Sequence, residues 1–197
     1  MNVAPITLEG DIVRLEPLAL RHVDDLARVA FDEDLWRWVP TQVTNRAELE
    51  AYVAEALDEQ ARGVSLPFAV IEKQGGAAIG STRYGAISSA DRRVEIGWTW
   101  YARAWHRSGV NTESKLLLLR HAFETLGAIR VELKTDALNE RSRNAILRLG
   151  AQQEGIFRNH RIIPVTGRIR DTVYFSIIDR EWPQVKARLR AFLEQPR

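Results

Sequence analysis

The chain has 197 residues, 45% hydrophobic and 27% charged, a globular composition with room for one domain and a sizeable core. Its 28 basic and 26 acidic residues leave a formal net charge of +2, less than a nucleic-acid binder working by counterion release carries. Without cysteine, disulfides, an acyl-cysteine intermediate and cysteine-ligated zinc are excluded.

The amino terminus, MNVAPITLEGDIVRLEPL, has no basic region followed by a long apolar run, so no signal peptide is expected. No stretch approaches the ~20 apolar residues that span a bilayer, and a cytoplasmic protein without membrane or nucleic-acid partners is the expectation. Residues 11–15 read as a strand through Ile12, Val13 and Leu15. Residues 18–30 place Leu18, Val23, Leu26, Val29 and Ala30 at helical spacing, and residues 46–61 do the same with Leu49, Val53, Ala56 and Leu57. Residues 67–72 and 77–84 are two strands of a hairpin turned by Gln74-Gly75-Gly76, and 93–101 (RVEIGWTWY) is a strand rich in β-branched and aromatic residues. A helix over about 112–126 stops at Gly127, and its apolar run 116–119 argues for burial against a sheet. Residues 129–134 form a strand, and 139–149 a helix with Asn139 as N-cap and Gly150 as stop. Strands over 155–159 and 171–178 join through a turn around Pro164 and Gly167, and a closing helix over 182–192 presents Trp182, Val185, Leu189 and Phe192 on one face. Strand, two helices, three strands, helix, strand, helix, two strands, helix is an α/β order. It predicts a mixed sheet with helices on both faces, not a regular βαβ alternation.

Three constellations can carry chemistry. Between Trp98 and Glu113 a strand enters a polar loop containing Gly109 and then a buried helix, which can aim backbone N–H groups and a positive helix end at an anion; a plain turn and cap is the alternative. On a helical period Asn139, Ser142, Ile146 and Leu149 share a face, so the Ser142 hydroxyl points inward and needs a partner, in catalysis or in the first helical turn. Glu95 shares one face of its strand with Gly97 and Thr99, opposite Val94, Ile96 and Trp98; it can act as a base or pair with a nearby arginine. His22, His106, His121 and His160 lack metal-ligand spacing, so no metal is expected, and no Gly-x-Ser-x-Gly elbow supports hydrolysis. Trp36, Trp38, Trp100 and Trp105 can wall a pocket or sit in the core. Residues 139–170 hold seven arginines against Glu140 and Glu154, a local excess suited to a phosphorylated small ligand.

Together these residues resemble the GNAT superfamily of N-acetyltransferases, in the branch of the bacterial ribosomal-protein N-terminal acetyltransferases. The resemblance runs from about Ile12 to Trp182 and is strongest from Val94 to Ala151. The family's pyrophosphate loop, Gln/Arg-x-x-Gly-x-Gly/Ala, is met by His106-Arg107-Ser108-Gly109-Val110-Asn111, departing at His106 and Asn111. Its Asn-x-x-Ser and Leu-Gly-Ala signature is met by Asn139, Ser142 and Leu149-Gly150-Ala151. The resemblance implies a single domain over 1–197 with a splayed, mostly antiparallel sheet. It implies acetyl-CoA as co-substrate, its pyrophosphate on residues 106–112 (through Thr112) and its arm along the backbone of Trp98, Thr99 and Trp100. Asn139 would hold the pantetheine and Ser142 would protonate or solvate the leaving thiolate; the amine attacks directly, and beside the resemblance Glu95 is the preferred acceptor of its proton, with a water chain, His160 and Asp171 as the alternatives. Trp36 and Trp38 would line the acceptor site. Where the ribosomal-protein enzymes place a glutamate base, this chain has Arg161. The acceptor is open between a small-molecule amine, an amino acid or antibiotic, and a protein N-terminus; a homodimer is likewise open. Two rivals stand beside this reading: a non-catalytic acyl-CoA-binding sensor, and a nucleic-acid module using the arginine-rich stretch.

Overall fold

Eight strands, β1 (Leu8–Glu9), β2 (Val13–Pro17), β3 (Leu66–Glu72), β4 (Ala78–Ser88), β5 (Arg93–Tyr101), β6 (Arg130–Asp136), β7 (Gln152–Ile162) and β8 (Ile169–Ile178), form one sheet. Their order is β1-β2-β3-β4-β5-β6-β8-β7, seen in a computed structural model that describes residues 1–195. One face is covered by α1 (Val23–Ala27), α2 (Glu33–Trp36) and α3 (Arg46–Ala61), whose Leu26, Trp36, Leu49 and Val53 pack on Ala69, Ile71 and Trp100. The other is covered by α4 (Val110–Arg120), α5 (Glu140–Leu149) and α6 (Trp182–Glu194), with Leu117, Leu118, Ile146 and Leu189 against Val70, Ile96, Val131 and Phe175. β3 is buried along its whole length, as a strand covered on both faces must be. Among the described residues no helix is long and apolar enough to cross a membrane.

Every neighbouring pair is antiparallel except β5 and β6. These two run parallel and pair only at Arg93↔Arg130, Val94↔Val131 and Glu95↔Glu132. Beyond Glu95, β5 continues on β4 alone, and β6 continues on β8 alone, so the sheet opens into a wedge.

Several element bounds differ from expectation. The helix expected over 18–30 is a 3-10 turn, Leu20–His22, followed by the short α1. After it the Ala30 carbonyl accepts from the Trp36 indole at 2.6 Å, and Asp32 caps the separate α2 through the Asp34 N–H at 3.0 Å. α4 begins at Val110 and runs on through a π-helical turn, His121–Thr125. β7 extends well beyond residues 155–159 in both directions.

Glu113 ties α4 to the first hairpin. Its carboxylate is 4% exposed and accepts backbone N–H bonds from Asp11 (2.9 Å), Ile12 (2.8 Å) and Val13 (2.7 Å). A carboxylate with three N–H donors answers donors that would otherwise be buried without partners. Glu113→Gln sets an amide N–H₂ against at least one of them. The expected loss, read by chemical denaturation, is about 2–4 kcal/mol.

Candidate active site

The wedge is shaped by an irregularity in β5. The pairs Arg83↔Gly97 and Ser81↔Trp100 leave Trp98 and Thr99 opposite Thr82 alone, a two-against-one bulge, with Trp98 at φ 49°. The extra residue corrects the expected alternation. Trp98 does not join Val94 and Ile96 but turns to the Glu95 face, where its ring covers Gly85 so closely that a Cβ there would lie 2.4 Å from it. The Arg83 guanidinium sits 5.1 Å from the Trp98 ring and 5.1 Å from that of Tyr52, and pairs with Glu59 at 2.9 Å. From the opposite face Thr99 Oγ1 is held by Thr82 Oγ1 at 2.7 Å and by Lys115 Nζ of α4, also at 2.7 Å. The bulge is therefore pinned on both sides.

β5 runs into the loop expected to meet a pyrophosphate. His106 Nε2 lies 3.0 Å from the Tyr101 carbonyl, and Ser108 Oγ donates to the Trp105 carbonyl at 2.6 Å, so both side chains are spent on the loop itself. Thr112 is buried and accepts from Arg148 Nη2 at 2.6 Å. Val110 is likewise buried and Asn111 half-buried. Gly109 at the N-cap of α4 has no side chain to offer and Ser108 Oγ takes the Val110 N–H at 3.3 Å, while the first intrahelical bond, from the Glu113 N–H to the Gly109 carbonyl at 2.9 Å, leaves the N–H groups of Asn111 and Thr112 outside the ladder. Gly109 itself is not left-handed: its φ is −67°, and the positive φ belongs to Arg107 at 61°. A Cβ there would stand 2.3 Å from Ile12 Cδ1, so any larger residue has to displace the end of that side chain.

On the far side of the wedge β6 leads into α5. Asn139 is its N-cap, with Oδ1 accepting the Ser142 N–H at 3.0 Å, and Gly150 closes it at φ 107°. Ile146 and Leu149 are buried below Ser142, which places that half-buried residue on the inward face at the start of the helix.

Glu95 is the last residue of β5 paired to β6, and its side chain is directed to the α1–α3 face. Its Oε2 accepts from Lys134 Nζ at 2.8 Å, so its partner is a lysine and not an arginine. Burial works against the charge on Lys134, but Glu95 outweighs it and raises the lysine pKa above its ordinary value. Beyond Lys134, the Tyr174 ring stacks on Phe157 at 4.1 Å and meets His160 at 5.8 Å. The two tryptophans expected to line an acceptor separate. Trp36 is 4% exposed, bonded through its indole and packed on Tyr52 and Trp100, so it is a core residue and no pocket wall. Trp38 is half-buried, with Arg168 5.6 Å from its ring and its carbonyl 3.4 Å from Arg170 Nη1. Trp100 is also a core side chain, leaving only its backbone to the wedge.

Residues 13–152, well over half of the chain, match the family model described as Acetyltransferase (GNAT) domain. The chain belongs to the GNAT family of acetyltransferases. A GCN5-related N-acetyltransferase from Brucella melitensis is 34% identical, with a TM-score of 0.90 over 97% of this chain and 86% of that one. RimJ from Mycobacterium smegmatis, solved in complex with CoA-disulfide, shares the fold at 23% identity, with a TM-score of 0.79 over 96% of this chain and 93% of its own. YdaF of Bacillus subtilis (strain 168), which carries the name of a ribosomal N-acetyltransferase, is 34% identical over 96 residues, 49% of this chain. That match spans about half of the relative, 51% of its length. The mixed, mostly antiparallel sheet with a wedge at its parallel β5–β6 pair is the GNAT fold that the sequence resemblance implied.

Within this GNAT domain, sequence reasoning missed Lys134, Arg83 and Lys115. Lys134 could have been found from its i, i+2 spacing with Glu132, which puts both on one strand face. Lys115 directly precedes the four-leucine run, apolar on all sides, a signal that it too is inside. It is 5% exposed, and burial lowers its pKa to about 7. An unfolded lysine keeps its proton to about 10.4, so from about pH 7 to about pH 10 the unfolded state binds more protons. The resulting stability is fully present above that window and is lost as pH falls toward 7. Denaturation midpoints measured across the window should therefore rise with pH in the native protein, and Lys115→Met should remove that rise. Parallel curves would refute the assignment.

Proposed function

We propose that the chain transfers acetyl from acetyl-CoA to a primary amine by direct attack. The observation that carries this reading is the wedge between β5 and β6 leading onto the N-terminus of α4, whose Asn111 and Thr112 N–H groups lie outside the helical ladder. Strand edges without a strand partner suit the amides of a pantetheine arm, and first-turn N–H groups suit a pyrophosphate. A cytoplasmic enzyme with no nucleic-acid, membrane or metal partner belongs to the same reading.

Acetyl-CoA supplies the activated thioester. The residues of this chain do the rest. Residues 106–112 hold the pyrophosphate by backbone, with Asn139 and the strand backbone of Trp98, Thr99 and Trp100 along the arm. N–H groups of the bulged segment donate to the thioester carbonyl oxygen. The amine approaches on the face that Glu95, Trp98 and Trp38 share. It is protonated near neutrality and must lose a proton before it attacks. Glu95, whose Oε2 accepts from Lys134 Nζ at 2.8 Å, receives that proton. An N–C bond forms as the C–S bond breaks, and the Ser142 hydroxyl gives its proton to the thiolate and regains one from water.

The test is release of free thiol with purified protein, acetyl-CoA and a panel of amines. Ser142→Ala should lower kcat about 10- to 100-fold with little change in coenzyme A affinity, and Glu95→Gln should lower it about 100-fold and remove the acidic limb of the pH–rate profile. A Glu95→Gln enzyme with a normal rate and profile assigns the proton to water or to His160. Tight coenzyme A binding without thiol release from any amine favours the sensor reading.

A further inference from the structure

Three arginines converge beside the wedge on the face assigned to the acceptor. Arg170 of β8 stands directly opposite Arg161 of β7 in the antiparallel register. Arg168, two residues earlier, reaches Trp38 and Asp136, as does Arg170. Like charges directly opposite on a sheet repel, so the arrangement is unfavourable unless an anion answers it. Asp136 answers only part of it. Its side chain is fully buried, with Oδ1 accepting the Leu138 N–H at 3.0 Å and Oδ2 paired to Arg168. Arg170 is thereby left short. It is 9% exposed, its Nε lies 3.9 Å from Asp136 Oδ2, beyond hydrogen-bond reach, and that buried Nε has no hydrogen-bond partner. Its Nη1 finds only the Trp38 carbonyl at 3.4 Å. Burial above all, with the charges of Arg161 and Arg168 adding to it, lowers the Arg170 pKa from its ordinary value, against the opposing pull of Asp136 and Glu95. Lys134, the next cation along this face, is already taken by Glu95.

We propose that Arg170, with Arg161 and Arg168, binds an anionic group carried by the acceptor, so that the substrate class is an amine bearing a carboxylate or a phosphate. A guanidinium offers a planar fork of N–H donors that two oxygens of such a group can take together, and a buried Nε without a partner is one prong of that fork. An anion there lowers the repulsion between the facing arginines and satisfies the orphaned donor at once, which a neutral amine cannot do. Glu95 lies close enough for its charge to act on Arg170. The anion site and the proposed proton acceptor thus lie on one face of the sheet. The inference rests on the acetyltransferase reading and narrows it.

The experiment uses the full chain with acetyl-CoA and matched acceptors, reading thiol release: β-alanine against β-alaninamide, glycine against glycinamide, and phosphoethanolamine against ethanolamine. The anionic partner of at least one pair should be preferred about 10- to 100-fold in kcat/KM, the range a charge-assisted hydrogen bond supplies. Which pair shows the preference separates carboxylate from phosphate. Arg170→Gln should bring the partners of that pair to similar values, raising KM for the anionic one more than it lowers kcat. Because Arg170 is buried, Arg161→Gln on the exposed edge strand is the second variant, and it should reduce the preference while the protein stays folded. Turnover without preference in the native enzyme, or a preference that survives both variants, overturns the inference. No thiol release with any acceptor overturns the acetyltransferase reading and this inference with it, and the two failures are told apart by whether turnover is present.

Discussion

The parallel ladder between β5 and β6 lasts for three residue pairs, and the site depends on where it ends. Its last pair, Glu95↔Glu132, sets two carboxylates side by side, an arrangement that repels unless a cation is shared. Lys134 is shared between them, 2.8 Å from Glu95 and 3.6 Å from Glu132, and Arg130 answers Glu132 more closely at 3.0 Å. Past it, β5 follows β4 through the bulge at Trp98 and Thr99, while β6 follows β8, and hydrogen bonding across the gap stops. The wedge is then a consequence of two antiparallel partners pulling the parallel strands apart. Its shape is held by Lys115 below and by Arg83 and Trp98 above.

The two faces of the sheet carry different work. On the α4 side the contacts are spent on rigidity: Glu113 fastens the first hairpin to the helix, Arg148 joins Thr112 to α5, and Tyr84 donates to the Leu118 carbonyl at 2.5 Å. These place the start of α4 beside the wedge and the start of α5 across from it. The α1–α3 side carries the charged and aromatic groups, from Glu95 and Lys134 through Tyr174 to Arg170. A ligand held by backbone on one side and an acceptor chosen by side chains on the other is the division this layout supports.

Much of this was legible in the sequence where a short-range rule governs. The bounds of β5 and α3 agree with the pattern, and α5 carries the expected Asn139 and Gly150 caps, because periodicity and capping are local. The Ser142 face was likewise readable from a 3.6-residue period. The misses are non-local. Strand alternation cannot show an inserted residue, so Trp98 was assigned to the wrong face. That Ile12, almost a hundred residues earlier, fills the space beside Gly109 is equally invisible to any local rule. Trp36 was drawn to a pocket wall because nothing local reveals that its indole closes onto the Ala30 carbonyl. Charge partners were hidden for the same reason: Lys134 for Glu95, and Asp136 for Arg168, lie across strands whose register no local motif fixes.

The central claim is that the wedge and the start of α4 form one cofactor cradle, and a crystal structure of the protein with coenzyme A tests it most directly. The account predicts phosphate density against the backbone of residues 108–112 and the pantetheine arm lying between β5 and β6, along residues 96–101. Coenzyme A bound elsewhere, with the wedge open and the α4 N-terminus unoccupied, would contradict it.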